Sequence, residues 1–471
     1  MALPADSPPL PVTPRTGRRL DRVRRTPRGR IALAILAAFT GIALLTAGIV
    51  QTTGGLSGTA PAIGASPSPS RATASPSQFA IASDLPVASP TTPSPGGSGG
   101  GVTPAEPRAT ALAAQLQATL EHVRAKLAVP GVSVTILFPD GSEWTGAGGL
   151  ADVANRTPVT PATAFAFASM SKTFTSALIL QLVAEGRLHL NDSAALFLPP
   201  LKKPIDRRIT IAMLLDHTSG LHDFFLNPKI DKPLQSQPNR AWTTDEVLSY
   251  VGKRYFPPGR GWHYSNTNYL LLGLIAERIT GAPLAAAIRT RLLEPAGLTT
   301  TWYQAAEKPR AALAHGYRLP GVKLTVRPID LDDGSGIAPF RSVVTAAAGA
   351  GSLAGTSGDL ARWARLLYSG EILGADGTAV LLGGFGATAT YRPTVPYGYG
   401  VQAVVVDGHP SFGHSGRLLG FRGAVRHFPV DGLTIAVLTN QSRADPGVIV
   451  RALLAVAVPT APTCPICLTA R

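Results

Sequence analysis

The twenty residues from 31 to 50, IALAILAAFTGIALLTAGIV, carry no charged side chain. As a helix this run is about 30 Å long, which matches the hydrocarbon thickness of a bilayer. Residues 1–30 carry eight arginines and two aspartates. Because cationic flanks stay in the cytoplasm, residues 31–50 are predicted to form a transmembrane signal-anchor helix. Residues 1–30 then form a basic cytoplasmic tail, and everything after residue 50 lies outside the membrane.

Two other interpretations of residues 31–50 are a buried core helix and an excised signal peptide. A buried core helix is disfavoured by the arginines before it and by the polar, Pro-rich segment after it. An excised signal peptide has a shorter apolar region, about 7–15 residues. Ala60-Pro61-Ala62 weakly resembles a cleavage site, so release of the domain by cleavage stays open beside an uncleaved, single-pass anchor.

Residues 51–107 are rich in Ser, Pro, Thr, Gly and Ala, as in GASPSPSRATASPS and ASPTTPSPGGSGGG. Such a segment cannot bury enough apolar surface to offset the entropy lost on ordering. The composition therefore predicts a disordered, partly extended linker. It would hold the following domain away from the membrane, within a cell wall.

Charge and cysteine usage limit the classes of partner. The formal charge is +15; residues 1–30 contribute +6 and residues 31–106 contribute −1, which leaves +10 in residues 107–471. This excess favours anionic substrates or surfaces. No Lys/Arg run with interleaved aromatics follows residue 30, so nucleic acid is not an expected partner. Cys464 and Cys467 form half a zinc motif without a His cluster, so no metal is expected; a disulfide and two free thiols stay open.

From residue 108 to residue 458 the composition is that of a folded domain, followed by a C-terminal tail, 459–471. Leucines at helical spacing predict a first amphipathic helix. Three short β-rich runs predict strands joined by turns: VSVTILF (132–138), GAVRHF (423–428) and LTIAVLT (433–439). A helix follows at 447–458, and the intervening stretches read mainly as helices. The prediction is an α/β (α+β) domain with an antiparallel sheet flanked by terminal helices, a large mainly helical insertion, and a site in the cleft between them.

The segment FAFASMSKTFT (165–175) contains the only Ser-x-x-Lys of the sequence. The residues after Lys172 are nearly all apolar, which predicts a buried helix. Ser169 and Lys172 then share one helix face, whereas Ser171 points elsewhere. A desolvated lysine with a lowered pKa can activate a serine, and a helix N-terminus favours an oxyanion. A capping serine followed by a solvent-facing lysine is the alternative for this motif alone.

Two further motifs occur once each, Tyr264-Ser265-Asn266 and His414-Ser415-Gly416. A tyrosine hydroxyl can relay a proton when cations lower its pKa, and an asparagine amide can orient a substrate amide. A glycine in a strand allows close approach of a substrate to the strand edge. Taken singly, each motif is also typical of an ordinary loop.

Together and in this order, the three motifs resemble those of the penicillin-binding protein and class C β-lactamase superfamily of serine hydrolases. The resemblance covers about residues 108–458. It extends to four other stretches: ITIAMLLDHTSGL (209–221), PPGRGWHYSNTNYLLLGLIAERITG (257–281), AGAGSLAGTSGDLARWARLL (348–367) and GHSGRLLGFRG (413–423). It implies a β-lactamase/transpeptidase-like fold and no cofactor. Together with the anchor predicted at residues 31–50, it predicts a location in a bacterial cell membrane. His217 falls in a segment that is structural in the family.

The resemblance also implies a catalytic group. Ser169 attacks a carbonyl and forms an acyl-enzyme, while Lys172 and Tyr264 share the general-base work and protonate the leaving group. Backbone N–H groups of Ser169 and Arg417 form the oxyanion hole.

The remaining motif residues are implied to bind substrate. Asn266 holds the side-chain amide, Ser415 contacts a carboxylate, and Gly416 allows close approach. His414 stands where the family has the lysine of Lys-Thr-Gly. We therefore expect activity to fall where His414 changes protonation.

The His-for-Lys change resembles D-alanyl-D-alanine carboxypeptidases and family esterases more than class C β-lactamases. The expected substrate is a small peptide or ester, including a peptidoglycan stem peptide, with β-lactams as covalent inhibitors. The alternatives are an esterase, a weak class C-type β-lactamase, and a catalytically silent binding or sensor domain. An α/β-hydrolase is excluded because no Gly-x-Ser-x-Gly elbow occurs within the folded domain, residues 108–458.

Overall fold

The computed structural model describes residues 107–319, 328–385, 390–392 and 395–458. The predicted cytoplasmic tail, membrane helix and linker in residues 1–106 lie outside the described residues, as does the tail with Cys464 and Cys467. These parts of the sequence interpretation therefore stay predictions.

The described α-helices follow one another along the whole domain. In chain order they are α1 (Pro107–Lys126), α2 (Ser171–Ala184), α3 (Ile211–Leu215), α4 (Pro228–Ser236), α5 (Thr244–Leu248), α6 (Asn266–Thr280), α7 (Leu284–Ile288), α8 (Arg341–Ala347), α9 (Ser357–Tyr368), α10 (Gly374–Gly383) and α11 (Pro446–Ala457). No single helix in this part of the chain is long and apolar enough to cross a bilayer. The stretches Asn266–Thr280 and Leu284–Leu293 pass that test only together, and they are bent by 78°.

The strands fall into one large sheet and several small ones. They are β1 (Gly131–Leu137), β2 (Glu143–Asp152), β3 (Thr157–Pro158), β4 (Phe165–Ala166), β5 (Trp302–Tyr303), β6 (Tyr317–Arg318), β7 (Ile329–Asp330), β8 (Leu353–Gly355), β9 (Thr390–Arg392), β10 (Val395–Pro396), β11 (Gln402–Val406), β12 (His409–Leu418), β13 (Phe421–Phe428) and β14 (Leu433–Thr439).

The large sheet has seven strands in the order β11-β12-β13-β14-β1-β2-β3, and its described pairings are antiparallel. Strand β1 pairs with β14, so the two ends of the domain meet at its centre. This confirms the predicted antiparallel sheet built from both chain ends. Asp140 and Gly141 form the first hairpin turn, where Gly141 has φ +85° and the Ser142 N–H donates to Asp140. Such a φ favours glycine because the Cβ of any other residue would lie too close to that residue's own backbone.

Each face of the sheet is covered by a different layer of helices. On one face the terminal helices α1 and α11 pack over buried side chains that include Leu116, Leu453 and Val437. On the other face lie α2 and the helical insertion, with Phe174 and Val425 in the same core. The flanking terminal helices and the insertion follow the sequence prediction. The strand ends that border α2 are where the sequence motifs converge.

Helix α2 is buried along most of its length, as its apolar sequence predicts. Gly186, two residues after its last residue, has φ +68° and takes the left-handed position that terminates many helices. Two hydrogen bonds fix α2 in place: Thr175 donates to the Gly349 carbonyl at 2.8 Å, and Ser176 bonds the Tyr269 hydroxyl at 3.0 Å. The helix is therefore a rigid platform for the residues at its N-terminus.

Candidate active site

Ser169 lies in a short 3₁₀ turn, Ala168–Met170, that leads directly into α2. The turn begins just after β4, where the Phe167 N–H donates to the Leu353 carbonyl at 2.9 Å. Ala168 has φ +52°, a left-handed conformation that is strained for a residue with a Cβ. Ser169 is partly exposed, whereas its neighbours Ala168 and Met170 are buried. The turn thus leaves this side chain accessible from solvent.

Lys172 lies one turn along and is completely buried. Its Nζ is 3.2 Å from Ser169 Oγ, 2.8 Å from Asn266 Oδ1 and 2.7 Å from the Ala350 carbonyl oxygen. Burial lowers the pKa of Lys172 to about 7, although the charge of Asp223 opposes that shift. The ammonium group is therefore fully hydrogen-bonded yet easily deprotonated near neutral pH.

Ser171 is the other serine of the motif, and its geometry is different. Its buried hydroxyl accepts a hydrogen bond from the Leu353 N–H at 3.1 Å, so it ties α2 to strand β8. The structure places Ser169, and not Ser171, against Lys172, as helical spacing predicts.

Asn266 begins α6 and reaches two groups at once. Its Oδ1 accepts from Lys172, and its Nδ2 donates to Asp223 Oδ2 at 2.9 Å. Asp223 is buried and caps a short turn by accepting from the Phe225 N–H at 3.1 Å. Burial raises the pKa of Asp223 to about 6 against these hydrogen bonds. Asp223 was not predicted from the sequence; its only signal there is an aspartate at a capping position before FFL.

Tyr264 lies two residues before α6, with its ring against the lysine. Lys172 Nζ is 5.0 Å from the centre of the Tyr264 ring and 5.4 Å from that of Tyr269. On its other side the Tyr264 ring is 4.4 Å from the His217 ring and 6.5 Å from the His414 ring, centre to centre. The structure therefore brings the first two motifs together around Lys172 and places the third beside Tyr264.

His414 ends a chain of hydrogen bonds that runs through Tyr397 to His217. The Ser265 N–H donates to His217 Nδ1 at 3.3 Å, and the Ser415 carbonyl accepts from His414 Nδ1 at 2.7 Å. Between them, the Tyr397 oxygen lies 3.3 Å from His217 Nε2 and 3.0 Å from His414 Nε2. Because a backbone N–H only donates and a carbonyl only accepts, His217 donates to Tyr397 and Tyr397 donates to His414.

This chain corrects two expectations about His414. Burial and the nearby Lys172 charge lower the pKa of His414 to about 3, so the ring stays neutral across the physiological range. Both ring nitrogens already have protein partners, Tyr397 and the Ser415 carbonyl. His414 therefore does not supply a titratable cation in place of the lysine, and the expected loss of activity on its protonation does not follow. His217, which was expected to be structural, and Tyr397, which was not predicted from the sequence, both belong to this arrangement.

Ser415 lies on the sheet face opposite His414. In the β12–β13 register His414 pairs with Val425, which faces the helical insertion, and Ser415 pairs with Ala424, which faces the terminal helices. Adjacent strand residues point to opposite faces. The Ser415 hydroxyl donates to Gln402 Oε1 at 3.2 Å. This position does not favour the substrate contact that was expected of Ser415.

Gly416 brings β12 against the turn that holds Ser169. A Cβ at this position would lie 2.3 Å from the Phe167 carbonyl oxygen and 3.2 Å from the Ala168 Cβ. Only glycine allows this approach of two backbones. Arg417, the next residue of β12, is exposed to solvent. Strand β11 pairs with β12 only as far as Gly413, so among the described strands none covers the β12 edge beyond that residue.

One group of possible metal ligands occurs among the described residues. Single ligand atoms of Asp152, His315 and Asp330 lie within 4.8 Å of one another. Hydrogen bonds account for this grouping: His315 Nδ1 lies 3.0 Å from Asp330 Oδ2, and Asp152 accepts from the Ala154 and Asn155 N–H groups. The carboxylates raise the pKa of His315 against the effect of its burial. We assign no metal to this group.

The family model described as "Beta-lactamase" matches residues 116–458. This chain belongs to the beta-lactamase family. The fold is accordingly the β-lactamase/transpeptidase-like one that the motifs implied, and the protein is a serine hydrolase of the superfamily that includes penicillin-binding proteins.

Individual relatives support this assignment. Protein flp of Staphylococcus aureus (strain COL) is 32% identical over 212 residues, 44% of this chain and 41% of flp. Penicillin-binding protein 4 of Amycolatopsis lactamdurans is 29% identical over 343 residues, 69% of this chain and 85% of that protein. The chain spans about two fifths of the length of the flp relatives it matches.

A solved structure adds a comparison of the fold. A D-stereospecific amidohydrolase from Streptomyces sp. matches this beta-lactamase family chain with a TM-score of 0.62 and 25% identity. The match covers 74% of this chain and 99% of that one.

Proposed function

We propose that this beta-lactamase family protein hydrolyses its substrates through an acyl-enzyme on Ser169. The observation that carries the proposal is the environment of Lys172 Nζ. Two of its three partners, the Asn266 amide oxygen and the Ala350 carbonyl oxygen, can only accept hydrogen bonds. When Lys172 loses a proton, its two remaining N–H groups stay with those acceptors. The nitrogen lone pair then faces Ser169 Oγ, 3.2 Å away, as a general base requires.

In the proposed cycle Ser169 Oγ attacks the substrate carbonyl carbon and its proton passes to Lys172 Nζ. Tyr264, whose ring lies beside that nitrogen, relays this same proton from Lys172 to the leaving nitrogen or oxygen, which leaves Lys172 neutral again. The bond to the leaving group breaks and an ester on Ser169 remains. Water then attacks the ester, its proton passes to the same base, and Ser169 recovers its hydroxyl. The N–H groups of Ser169 and Arg417 would bind the oxyanion in both steps.

The proposed substrate is a peptide that ends in D-alanyl-D-alanine, cleaved in the manner of a carboxypeptidase, with β-lactams as covalent inhibitors. The relationship to penicillin-binding protein 4 and to a D-stereospecific amidohydrolase supports a D-amino acid acyl group. Asn266 lies at the N-terminus of α6 and contacts Lys172. It would hold the amide group in the acyl portion of the substrate.

One observation favours a second candidate, an amidase or esterase whose leaving group carries no carboxylate. The position that holds lysine in many family members is occupied here by His414, which is neutral and has both nitrogens hydrogen-bonded. A cation at that point would attract the carboxylate of a terminal D-alanine. Its absence removes part of that attraction without affecting uncharged amides or esters.

We further propose that residues 31–50 anchor the protein in a bacterial cell membrane with residues 1–30 in the cytoplasm. The uncharged run and its arginine flank support this topology. Membrane fractionation, combined with protease treatment of intact wall-stripped cells, tests it. We expect the hydrolase domain to sediment with membranes and to be digested from outside. Recovery in the cytosolic fraction would contradict the proposal.

The chemistry is tested by mass spectrometry after incubation with a fluorescent penicillin, a β-lactam and a fluorophosphonate. We expect one adduct, mapped to Ser169, that disappears in Ser169→Ala and persists in the matched control Ser171→Ala. No adduct with any probe would favour the silent binding domain. Release of D-alanine, of ammonia from a D-amino acid amide, or of p-nitrophenol from an ester then separates the carboxypeptidase, amidase and esterase.

A further inference from the structure

Asp223 is a buried carboxylate that reaches Lys172 through Asn266. Its Oδ2 accepts from Asn266 Nδ2 at 2.9 Å, and Asn266 Oδ1 accepts from Lys172 Nζ at 2.8 Å. Its Oδ1 accepts from the Phe225 N–H at 3.1 Å. Lys172, Asn266 and Asp223 therefore form a hydrogen-bonded line that begins beside Ser169 and ends at Asp223.

The orientation of the Asn266 amide follows from Asp223. In the observed orientation each contact joins a donor to an acceptor. In the flipped orientation the amide N–H groups would face the Lys172 ammonium, and the amide oxygen would face the Asp223 carboxylate. Both contacts would then be repulsive. A negative charge at Asp223 therefore holds the amide oxygen towards Lys172.

Asp223 also supplies the negative charge next to a buried base. The other groups that face Lys172 carry no negative charge: they are Ser169, the Ala350 carbonyl, the rings of Tyr264 and Tyr269, and the neutral His217 and His414. On its far side Asp223 meets Tyr255, whose hydroxyl lies 3.3 Å from the Asp223 N–H. Of these groups Asp223 is the one whose charge opposes the desolvation of the lysine.

We propose that Asp223 is a positioning residue for the general base. It fixes the Asn266 amide so that Lys172 is held against Ser169, and its charge keeps Lys172 basic enough to accept the serine proton. This inference rests on the proposed acyl-enzyme function, in which Lys172 must be neutral to act and basic enough to take a proton.

The test is the pH profile of Ser169 acylation, measured with the full chain and a chromogenic ester or β-lactam. Asp223→Asn keeps the size and removes the charge. Because a nearby anion raises the pKa of an amine, its removal lowers the Lys172 pKa, and the acid limb moves to lower pH by about one unit. The plateau rate falls roughly tenfold or more, since the base is weaker and less well held. Asp223→Glu keeps the charge and retains the position of the limb.

The matched control is Asp216→Asn, a half-buried carboxylate that accepts from Thr218 and has no hydrogen bond to Asn266. This variant should leave the acid limb of Ser169 acylation at the wild-type pH. An unshifted limb in Asp223→Asn, or one that moves to higher pH, overturns the inference even if the rate falls, because a purely structural role lowers rates without moving the limb.

A second readout separates this inference from the proposed function. In protein labelled with [ε-¹³C]lysine, the Lys172 resonance is assigned with Lys172→Arg and titrated. A lower Lys172 pKa in Asp223→Asn supports the inference without any turnover. If the wild-type protein forms no adduct with any probe, the acyl-enzyme proposal fails, while this titration still decides the role of Asp223.

Discussion

The Tyr397 hydroxyl lies 3.0 Å from His414 Nε2 and donates its proton to that nitrogen. The direction follows from the other end of the chain, where His217 Nδ1 accepts from a backbone N–H and leaves Nε2–H to donate to Tyr397. Both histidines are therefore neutral and each is held in one tautomer. The third motif of the family is present in this chain, but its first residue, His414, places an uncharged ring beside Tyr264 instead of a cation.

Removing the Tyr397 hydroxyl should leave two buried ring nitrogens without this partner. We expect Tyr397→Phe to destabilise the protein by about 1–3 kcal/mol and to slow acylation, because the His414 ring loses the contact that fixes it. Chemical denaturation and acylation rates measure the two effects. Tyr399→Phe, a half-buried tyrosine in the same segment, is the matched control and should change neither. Equal stability and equal acylation rates in the two variants would contradict a role for the chain of hydrogen bonds through Tyr397.

Lys172 should determine the acid limb of activity. Its pKa is lowered to about 7 by burial, and the neutral amine is the base. Activity should therefore rise as pH increases through about 7 and reach a plateau above it. The limb should not reflect His414, whose pKa of about 3 lies far below. Rates of ester hydrolysis from pH 5 to 9 check this in wild type and in His414→Gln. A limb that disappears in His414→Gln would assign the titration to the histidine instead.

The close approach of β12 to the nucleophile turn should not tolerate a side chain. In Gly416→Ala the new Cβ would meet the Phe167 carbonyl oxygen at 2.3 Å, so the strand must move away from Ser169. Misplacement of this size lowers acylation by roughly 100-fold. Gly383→Ala is the control, since nothing lies within 4 Å of a Cβ there. Near-normal labelling of Gly416→Ala by a fluorescent penicillin would show that the strand position does not matter.

The sequence predicted what depends on local pattern and on order along the chain. The period of α2 placed Ser169 beside Lys172 and turned Ser171 away, and the β-rich runs gave the strands β1, β13 and β14. The surroundings of His414 could not be predicted in this way, because Tyr397 and His217 approach it from distant segments. Asp223 was missed for the same reason: its importance arises only where its capping turn meets the start of α6 and Lys172.

The side of the sheet on which Ser415 lies also depends on register, which the sequence left open. A shift of one residue exchanges the two faces of a strand, and the observed register directs Ser415 towards Gln402. We therefore expect Ser415→Ala to change KM for a D-alanyl-D-alanine peptide by less than about threefold. The Ser415 hydroxyl donates to Gln402 on the face opposite His414, and its loss costs the fold about 1 kcal/mol without removing a substrate contact. Steady-state kinetics with the peptide and with its C-terminal amide provide the measurement. A loss of affinity confined to the free carboxylate would restore Ser415 to the substrate-binding role, because only a direct contact distinguishes the two ligands.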